Sequence, residues 1–357
     1  MSFNVITATL ECSTGDLDTL IAELDSDLRQ IFTGVNPARL ELYIAALAKR
    51  HAVNPVLDAI QSEPWDGVER LPIVYRAMHV EDDELSMTLL RKWLMQAVTL
   101  LTNDEKKPVG ADFCLTLQGN QNVGKTRFSR WLSCDMYFHE GGQISLRDKD
   151  YERRCLESWI CELGELDGVF RRADAPKLKA FITAATDKYR LAYGRHDICR
   201  ARRTSLVATV NPQHFLTDET GNRRYGTIPL TDNIDFKLLD FPALLLWREV
   251  MAFTKSRDDF RLTPDELAAL NERNSGFERS VPAEDEVADI IEEAKSNGVP
   301  FRPMTVSTFK DCFATLARYP VNQISAALDR IGIPQQRTKK ARFRLLPDHR
   351  QTYDTLE

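Results

Sequence analysis

The chain has 357 residues, room for two or three domains, and its 43% hydrophobic and 28% charged residues are ordinary for a globular protein. A formal net charge of −6 excludes a surface that grips polyanions generally, so contact with nucleic acid has to come from local basic patches. No apolar run approaches the roughly 18 residues of a membrane span, Met1-Ser2-Phe3-Asn4 lacks a charged signal-peptide opening, and none of the 7 cysteines forms C-x-x-C. A cytoplasmic chain with reduced thiols and no membrane partner is expected.

Residues 1–104 read as a helical domain. Asn36-Pro37 is a helix start, and Leu40, Tyr43, Ile44 and Leu47 follow with helical period. Asn54-Pro55 repeats the start, and Pro64-Trp65-Asp66-Gly67 is a turn. From Glu84 to Leu101 a second amphipathic pattern sets Leu89, Leu90, Trp93, Leu94, Ala97, Val98 and Leu101 on one stripe. All of these apolar positions are expected in a core.

From about Lys106 strands alternate with helices, the pattern of an α/β domain with parallel strands, here placed at 105–255. The apolar run Asp112–Leu117 leads into G-x-x-x-x-G-K-T at Gly119–Thr126, and the helical pattern Phe128–Leu132 follows. That strand–loop–helix context is what a phosphate-binding P-loop requires. The nucleotide-binding residues are Gly119, Asn120, Gln121, Asn122, Val123, Gly124, Lys125, Thr126 and Arg127. Backbone N–H groups wrap the phosphates and the helix start faces them. Lys125 neutralises the outer phosphates of ATP, and the Thr126 hydroxyl ligates Mg²⁺.

A strand candidate at Met136–Phe138 and a helix near Asp150–Glu157 come next. The apolar Ser158–Cys161 then runs into Glu162-Leu163-Gly164-Glu165. Acids at the end of such a strand face the P-loop, where one holds the metal shell and another orients the attacking water. Glu162 is favoured for the metal and Glu165 for the water, but the pattern leaves their roles open.

Between Asp187 and Arg203 lie six Lys or Arg against two Asp. Gly194 suits a hairpin tip. Arg190, Tyr193, Arg195, His196, Arg202 and Arg203 are candidate DNA contacts, offering charge to phosphates and a ring for stacking. A solvated basic hairpin is the plain alternative. The strand Ser205–Val210 ends at Asn211, whose amide can reach the terminal phosphate or the attacking water, and Arg223 and Arg224 follow on a polar loop. Adjacent arginines there suit a finger inserted into a neighbour's nucleotide site.

Residues 256–282 read as lid and linker. In 283–357, two helices joined by a short turn precede a basic ribbon, the outline of a winged-helix-like DNA-binding domain. Asn322 and Gln323 open its recognition helix, and Arg337, Lys339, Lys340, Arg342 and Arg344 are placed to meet phosphates from the wing.

Trp65-Asp66-Gly67 with Arg70, Gly119–Thr126, Trp159–Gly168, Tyr193-Gly194-Arg195, Ala208–Asn211 and Asp218–Tyr225 together resemble the virulence-associated protein E family, over roughly residues 50–260. Its ATPase domain is similar to superfamily 3 helicases and the wider AAA+ class. The resemblance implies an α/β P-loop NTPase core with flanking helical and winged-helix-like domains. It implies a ring-forming, hexameric ATP-dependent DNA helicase of phage or mobile-element replication, in a bacterial cytoplasm, moving on single-stranded DNA. Origin double-stranded DNA and a separate primase are further expected partners. Glu162, Glu165, Asn211, Arg223 and Arg224 join Lys125 as catalytic residues, with Thr126 and Glu162 on the metal. The E-L-x-E spacing departs from the adjacent acids usual in superfamily 3. An ATP-switched origin- or operator-binding protein that never translocates is the alternative.

Overall fold

A computed structural model describes the chain apart from residues 1, 12–16, 32–36, 144–147, 165–174, 191–196, 212–214, 217–221, 279–282, 338–341 and 348–357. The chain divides into two compact units, Met1–Glu278 and Arg279–Glu357.

The first unit opens with short strands β1 (Ser2–Asn4) and β2 (Thr9–Glu11), helices α1 (Leu17–Ile31) and α2 (Pro37–Arg50), and strand β3 (Ala52–Val53). The strands form a small sheet in the order β2-β1-β3, within a region expected to be helical throughout. Strands of two or three residues carry too little alternation to register in a sequence pattern. Helix α2 packs against β1 and buries Ile44 and Ala48. Tyr43 and Leu47, expected in the core, are 65% and 55% exposed, because the small sheet covers only one flank of the stripe.

Helices α3 (Pro55–Gln61), α4 (Leu71–Ala77) and α5 (Glu84–Leu101) follow. Each starts on a readable signal. The Asn54 side chain caps α3 ahead of Pro55, and the Asp83 side chain caps α5 by accepting from the Ser86 N–H. The α5 stripe is buried throughout, as its period requires.

The centre of the unit is a sheet of β4 (Cys114–Gly119), β5 (Phe138–Gln143), β6 (Ile160–Gly164), β9 (Ser205–Val210) and β10 (Tyr225–Leu230). Its order is β10-β4-β9-β6-β5, and every neighbouring pair is parallel. All of β6 and β9 is buried, consistent with a sheet covered on both faces. Helices α6 (Lys125–Leu132), α7 (Lys149–Leu156) and α8 (Ala175–Thr183) lie between its strands in the chain. A separate antiparallel hairpin, β7 (Thr186–Arg190) with β8 (Asp197–Ala201), precedes β9. Helices α9 (Ala243–Phe253) and α10 (Pro264–Ser275) complete the unit.

One core joins what the sequence separates at residue 104. Val56, Leu90, Trp93 and Leu94 pack in the same cluster as Leu115, Ile160, Val207, Ile228 and Trp247. The Trp93 indole N–H donates to the Leu206 carbonyl at 3.0 Å. Phe260 and Leu270, from the stretch expected as lid and linker, are fully buried in that cluster too. Helical period reveals that a face is buried but not what covers it, and here the cover is the parallel sheet.

The second unit has its own core around Val287, Phe309, Ile324 and Leu346. Its elements run α11 (Glu284–Ser296), β11 (Phe301–Met304), α12 (Val306–Cys312), α13 (Val321–Arg330), β12 (Gln336–Arg337) and β13 (Arg342–Pro347), with sheet order β11-β13-β12.

Replacing Trp93 by alanine is expected to cost the first unit about 3–5 kcal/mol of unfolding free energy. Chemical denaturation should move the transition of helices and sheet together. A separate helical transition, with the sheet's unchanged, would contradict the shared core.

Candidate functional site

The P-loop leaves the C-terminal end of β4 and enters α6. Asn122 and Gly124 take left-handed backbone conformations, with φ of 68° and 100°, so successive N–H groups can turn toward one point. Lys125 is 7% exposed. Its ammonium donates to the carbonyls of Gly119 and Asn120, both at 2.7 Å, and to Asn211 Oδ1 at 2.9 Å. The expected lysine and the expected amide at the end of β9 therefore meet.

Glu162 stands on β6, two strands from the P-loop strand, and is 2% exposed. Its Oε1 accepts from the Thr126 hydroxyl at 2.7 Å and from the Thr209 hydroxyl at 2.9 Å. Its Oε2 is buried and has no hydrogen-bond partner among the described residues. Burial pushes the Glu162 pKa up. The two hydroxyl hydrogen bonds offset part of that rise, and the charge of Glu140 adds to it. A buried carboxylate with one free oxygen beside a threonine hydroxyl is a hard oxygen set, the kind Mg²⁺ takes alongside water and phosphate. The residues therefore fit that ion.

These groups line one cavity of about 560 Å³, together with Gln121, Asn122, Arg127, Glu140 and Gly164. Glu140 and Thr209 are additions that the sequence reading missed. Thr209 is a hydroxyl inside the otherwise apolar run Leu206–Val210, which was the available signal. Glu140 pairs in register with Glu162 on the neighbouring strand and forms an ion pair with Arg130 of α6. A register shift follows at Gly141, where a Cβ would fall 2.0 Å from the Glu162 carbonyl oxygen. Only glycine allows β5 to approach so closely. Glu165 lies outside the described residues.

Arg223 and Arg224 are elsewhere. They sit on a 3-10 turn, Asn222–Arg224, at the start of β10. Tyr225 pairs with Cys114 and Leu230 with Gly119, so the arginines are at the N-terminal edge of the sheet and the P-loop at the C-terminal edge. The length of β4 separates them by about 17 Å. Arg223 is exposed and Arg224 half-buried, its Nε without a hydrogen-bond partner among the described residues. Both line a cavity of about 350 Å³ with Asp112 and Arg261, which pair with each other.

The basic hairpin divides. Arg190 and Asp197 pair across its strands, and Tyr193, Arg195 and His196 lie outside the described residues. Arg202 and Arg203 are not surface contacts. Arg202 is 2% exposed and its guanidinium pairs with the fully buried carboxylate of Asp187 while donating to the Phe181 carbonyl. Arg203 pairs with Glu105 and donates to the Asn103 carbonyl. Both charges are spent inside the protein, fixing the hairpin's base. Arg344 of the second unit is likewise buried, paired with Asp329 at 2.6 Å, whereas Arg337 and Arg342 are exposed. Lys339 and Lys340 lie outside the described residues.

The Trp65-Asp66-Gly67 and Arg70 motif is a structural knot. Asp66 accepts two hydrogen bonds from the Arg70 guanidinium, at 2.8 and 2.6 Å, and these hold its carboxyl well below the usual range. The Glu249 carboxylate accepts from the Arg70 N–H at 2.6 Å and tethers the knot to α9.

A P-loop at the C-terminal edge of this five-stranded parallel sheet makes the first unit an α/β NTPase-like core. The virulence-associated protein E-like domain model matches residues 60–279, and the chain belongs to that family. Among solved structures, the apo C-terminal region of NrS-1 aligns at 13% identity and a TM-score of 0.48, covering 81% of this chain and 78% of that one. A structure titled "SCCmec type IV Cch - active helicase" aligns at 13% identity and a TM-score of 0.37, covering 80% and 71%. Likeness at that level says nothing by itself about what the chain does. No curated protein matches significantly. Among the described residues no helix is long and apolar enough to cross a membrane.

Two outcomes test this geometry. Because the Glu162 pKa is raised on folding, its contribution to stability is complete below the ordinary glutamate range and is lost as pH rises through the raised value. Glu162→Gln is therefore expected to raise the Tm of the nucleotide-free protein at neutral pH, with the gain vanishing toward about pH 4. A gain independent of pH would refute the assignment. Arg202→Ala leaves buried Asp187 without its closest partner and is expected to cost about 3–5 kcal/mol in denaturant unfolding. Unchanged stability with weakened DNA binding would restore Arg202 as a surface contact.

Proposed function

We propose that this chain is an ATP-dependent DNA helicase, assembling as a ring and moving on single-stranded DNA in phage or mobile-element replication. One observation carries the reading: the phosphate-handling groups and the Arg223–Arg224 pair occupy opposite edges of the same sheet. No side chain spans about 17 Å, so the two ends complete one hydrolytic site only when a second copy brings its arginines to the first copy's P-loop.

The roles follow from the contacts. Lys125 exchanges its two loop carbonyls for the outer phosphates. Asn211, which holds the Lys125 ammonium, would contact the terminal phosphate or the attacking water. Thr126 and Glu162 would hold Mg²⁺, which when bound neutralises phosphate charge. Glu165 remains the proposed water-orienting acid. Arg223 or Arg224 stabilises, in the neighbour's site, the charge that spreads over the transferred phosphate. The β7–β8 hairpin, fixed at its base by Arg202 and Asp187, offers Arg190, Tyr193, Arg195 and His196 to single-stranded DNA.

The second unit favours the other reading, an origin- or operator-binding protein switched by ATP. Its order of helix, strand, two helices and two strands supports the winged-helix reading, and Asn322, Arg337 and Arg342 are exposed on it. That unit serves origin double-stranded DNA equally well in a motor, with a primase as separate partner. Strand displacement with ATP decides between them, since a switch binds without unwinding.

Lys125→Ala is expected to lower ATP turnover by about 100-fold or more, and Arg223→Ala with Arg224→Ala to do the same. Mixing the two inactive proteins should recover part of the turnover, because mixed assemblies pair an intact P-loop with intact arginines. Equal inactivity of the mixture would rule out action across subunits, and retained turnover in Lys125→Ala would rule out the site itself.

A further inference from the structure

We propose that Phe236, with the Arg127 guanidinium stacked on its ring, forms the platform that receives the base of the bound nucleotide. The proposal rests on the nucleotide reading above and adds to it the direction in which the ligand lies.

The strand order sets that direction. The P-loop strand β4 sits between β9 and β10. Every group suited to the terminal phosphate stands on the β9 side: Asn211 after β9, Thr209 on β9 and Glu162 on β6. A P-loop cradles the inner phosphates in its backbone N–H groups while its lysine reaches the outer ones. With the outer phosphate toward β9 and β6, ribose and base leave the loop on the other side, toward the segment that follows β10.

That segment is fastened to the P-loop and to α6. The Ile234 N–H donates to the Val123 carbonyl at 3.0 Å, and the Asp235 N–H to the Ala77 carbonyl at 2.8 Å. Further along, the Phe241 ring meets Trp131 edge-on at 5.5 Å, and the Trp131 indole N–H donates to the Phe241 carbonyl. Between these anchors the Phe236 ring lies against Gly124, where a Cβ would come within 2.8 Å of ring atom Cε2. Gly124 is thus required twice, for its φ of 100° and for the ring beside it. The Arg127 guanidinium lies 3.9 Å from the Phe236 ring centroid, a close cation–π stack.

Arg127 is exposed and also lines the nucleotide cavity. One face of its planar guanidinium covers the ring, and on this proposal the other takes a flat ligand. A base stacked there makes a ring–guanidinium–base sandwich, a contact every base can make through its π-face. A phenyl ring offers no hydrogen bond to a base edge. The platform therefore favours a purine over a bare phosphate chain, and discriminates weakly between adenine and guanine.

The test compares Mg²⁺-supported binding of ATP and of inorganic tripolyphosphate by the full chain, measured by calorimetry. Wild type is expected to bind ATP about 10-fold more tightly than tripolyphosphate. Phe236→Leu keeps an apolar group against Gly124 and should lose that preference while tripolyphosphate affinity stays within about twofold. Phe236→Ala should behave likewise. Equal weakening of both ligands in both variants would make Phe236 a packing residue and overturn the platform, and so would an unchanged preference. A wild type that binds both ligands equally would overturn the platform but keep the phosphate site. A wild type that binds neither would overturn the nucleotide reading as well.

Discussion

Much of the first unit turns on a single buried oxygen. Glu162 Oε1 accepts from Thr126 at the start of the P-loop helix and from Thr209 on the central strand β9. Three elements distant in sequence are thereby tied at one point on the C-terminal edge of the sheet. The carboxylate is desolvated to make this contact, and its second oxygen is left without a hydrogen bond among the described residues. A buried anion half-satisfied in this way is costly unless it is protonated or meets a cation. The tension lies where a divalent ion would relieve it, so the same carboxylate organises the loop and suits it to a charged ligand.

The other buried charges work differently. Arg202 with Asp187, and Arg344 with Asp329, have their partners within the protein. Breaking such pairs is expensive because it strands a charge. They make the base of a hairpin and the middle of a β-strand rigid, and they do not attract ligands. A lysine- and arginine-rich stretch therefore holds two populations. The residues next to β9, Arg202 and Arg203, are structural, and only the others are left for the proposed contact with phosphates.

That distinction marks how far the sequence could be read. The P-loop and Glu162 were legible because their chemistry demands fixed spacing and a fixed strand end, and the α5 stripe because burial imposes a period. The fates of Arg202 and Arg203 were not, since a count of charges cannot show that Asp187 and Glu105 come to meet them. The covering of α5 by the sheet was equally hidden, as period says nothing of the partner. Phe236 belongs to no motif. Its meaning comes from strand order, which brings the segment after β10 beside a loop more than 100 residues earlier in the chain.

Strand order also constrains any account of hydrolysis. Ligands of parallel α/β sheets gather at the C-terminal ends of the strands, and there this chain has its lysine, carboxylate, hydroxyls and amide. Arg223 and Arg224 are at the far end of β10, whose register with β4 fixes the distance. Bending the chain cannot close that gap, because β10 and β4 are hydrogen-bonded along their whole length. If the Arg223–Arg224 pair is used against the phosphates, as proposed, it comes from another copy. On that proposal a single copy would hold half a site at each edge, and stacking copies edge to edge would make every half whole. Such an arrangement would link the state of each nucleotide to the spacing between neighbours, which is what the proposed motor needs and a solitary enzyme does not.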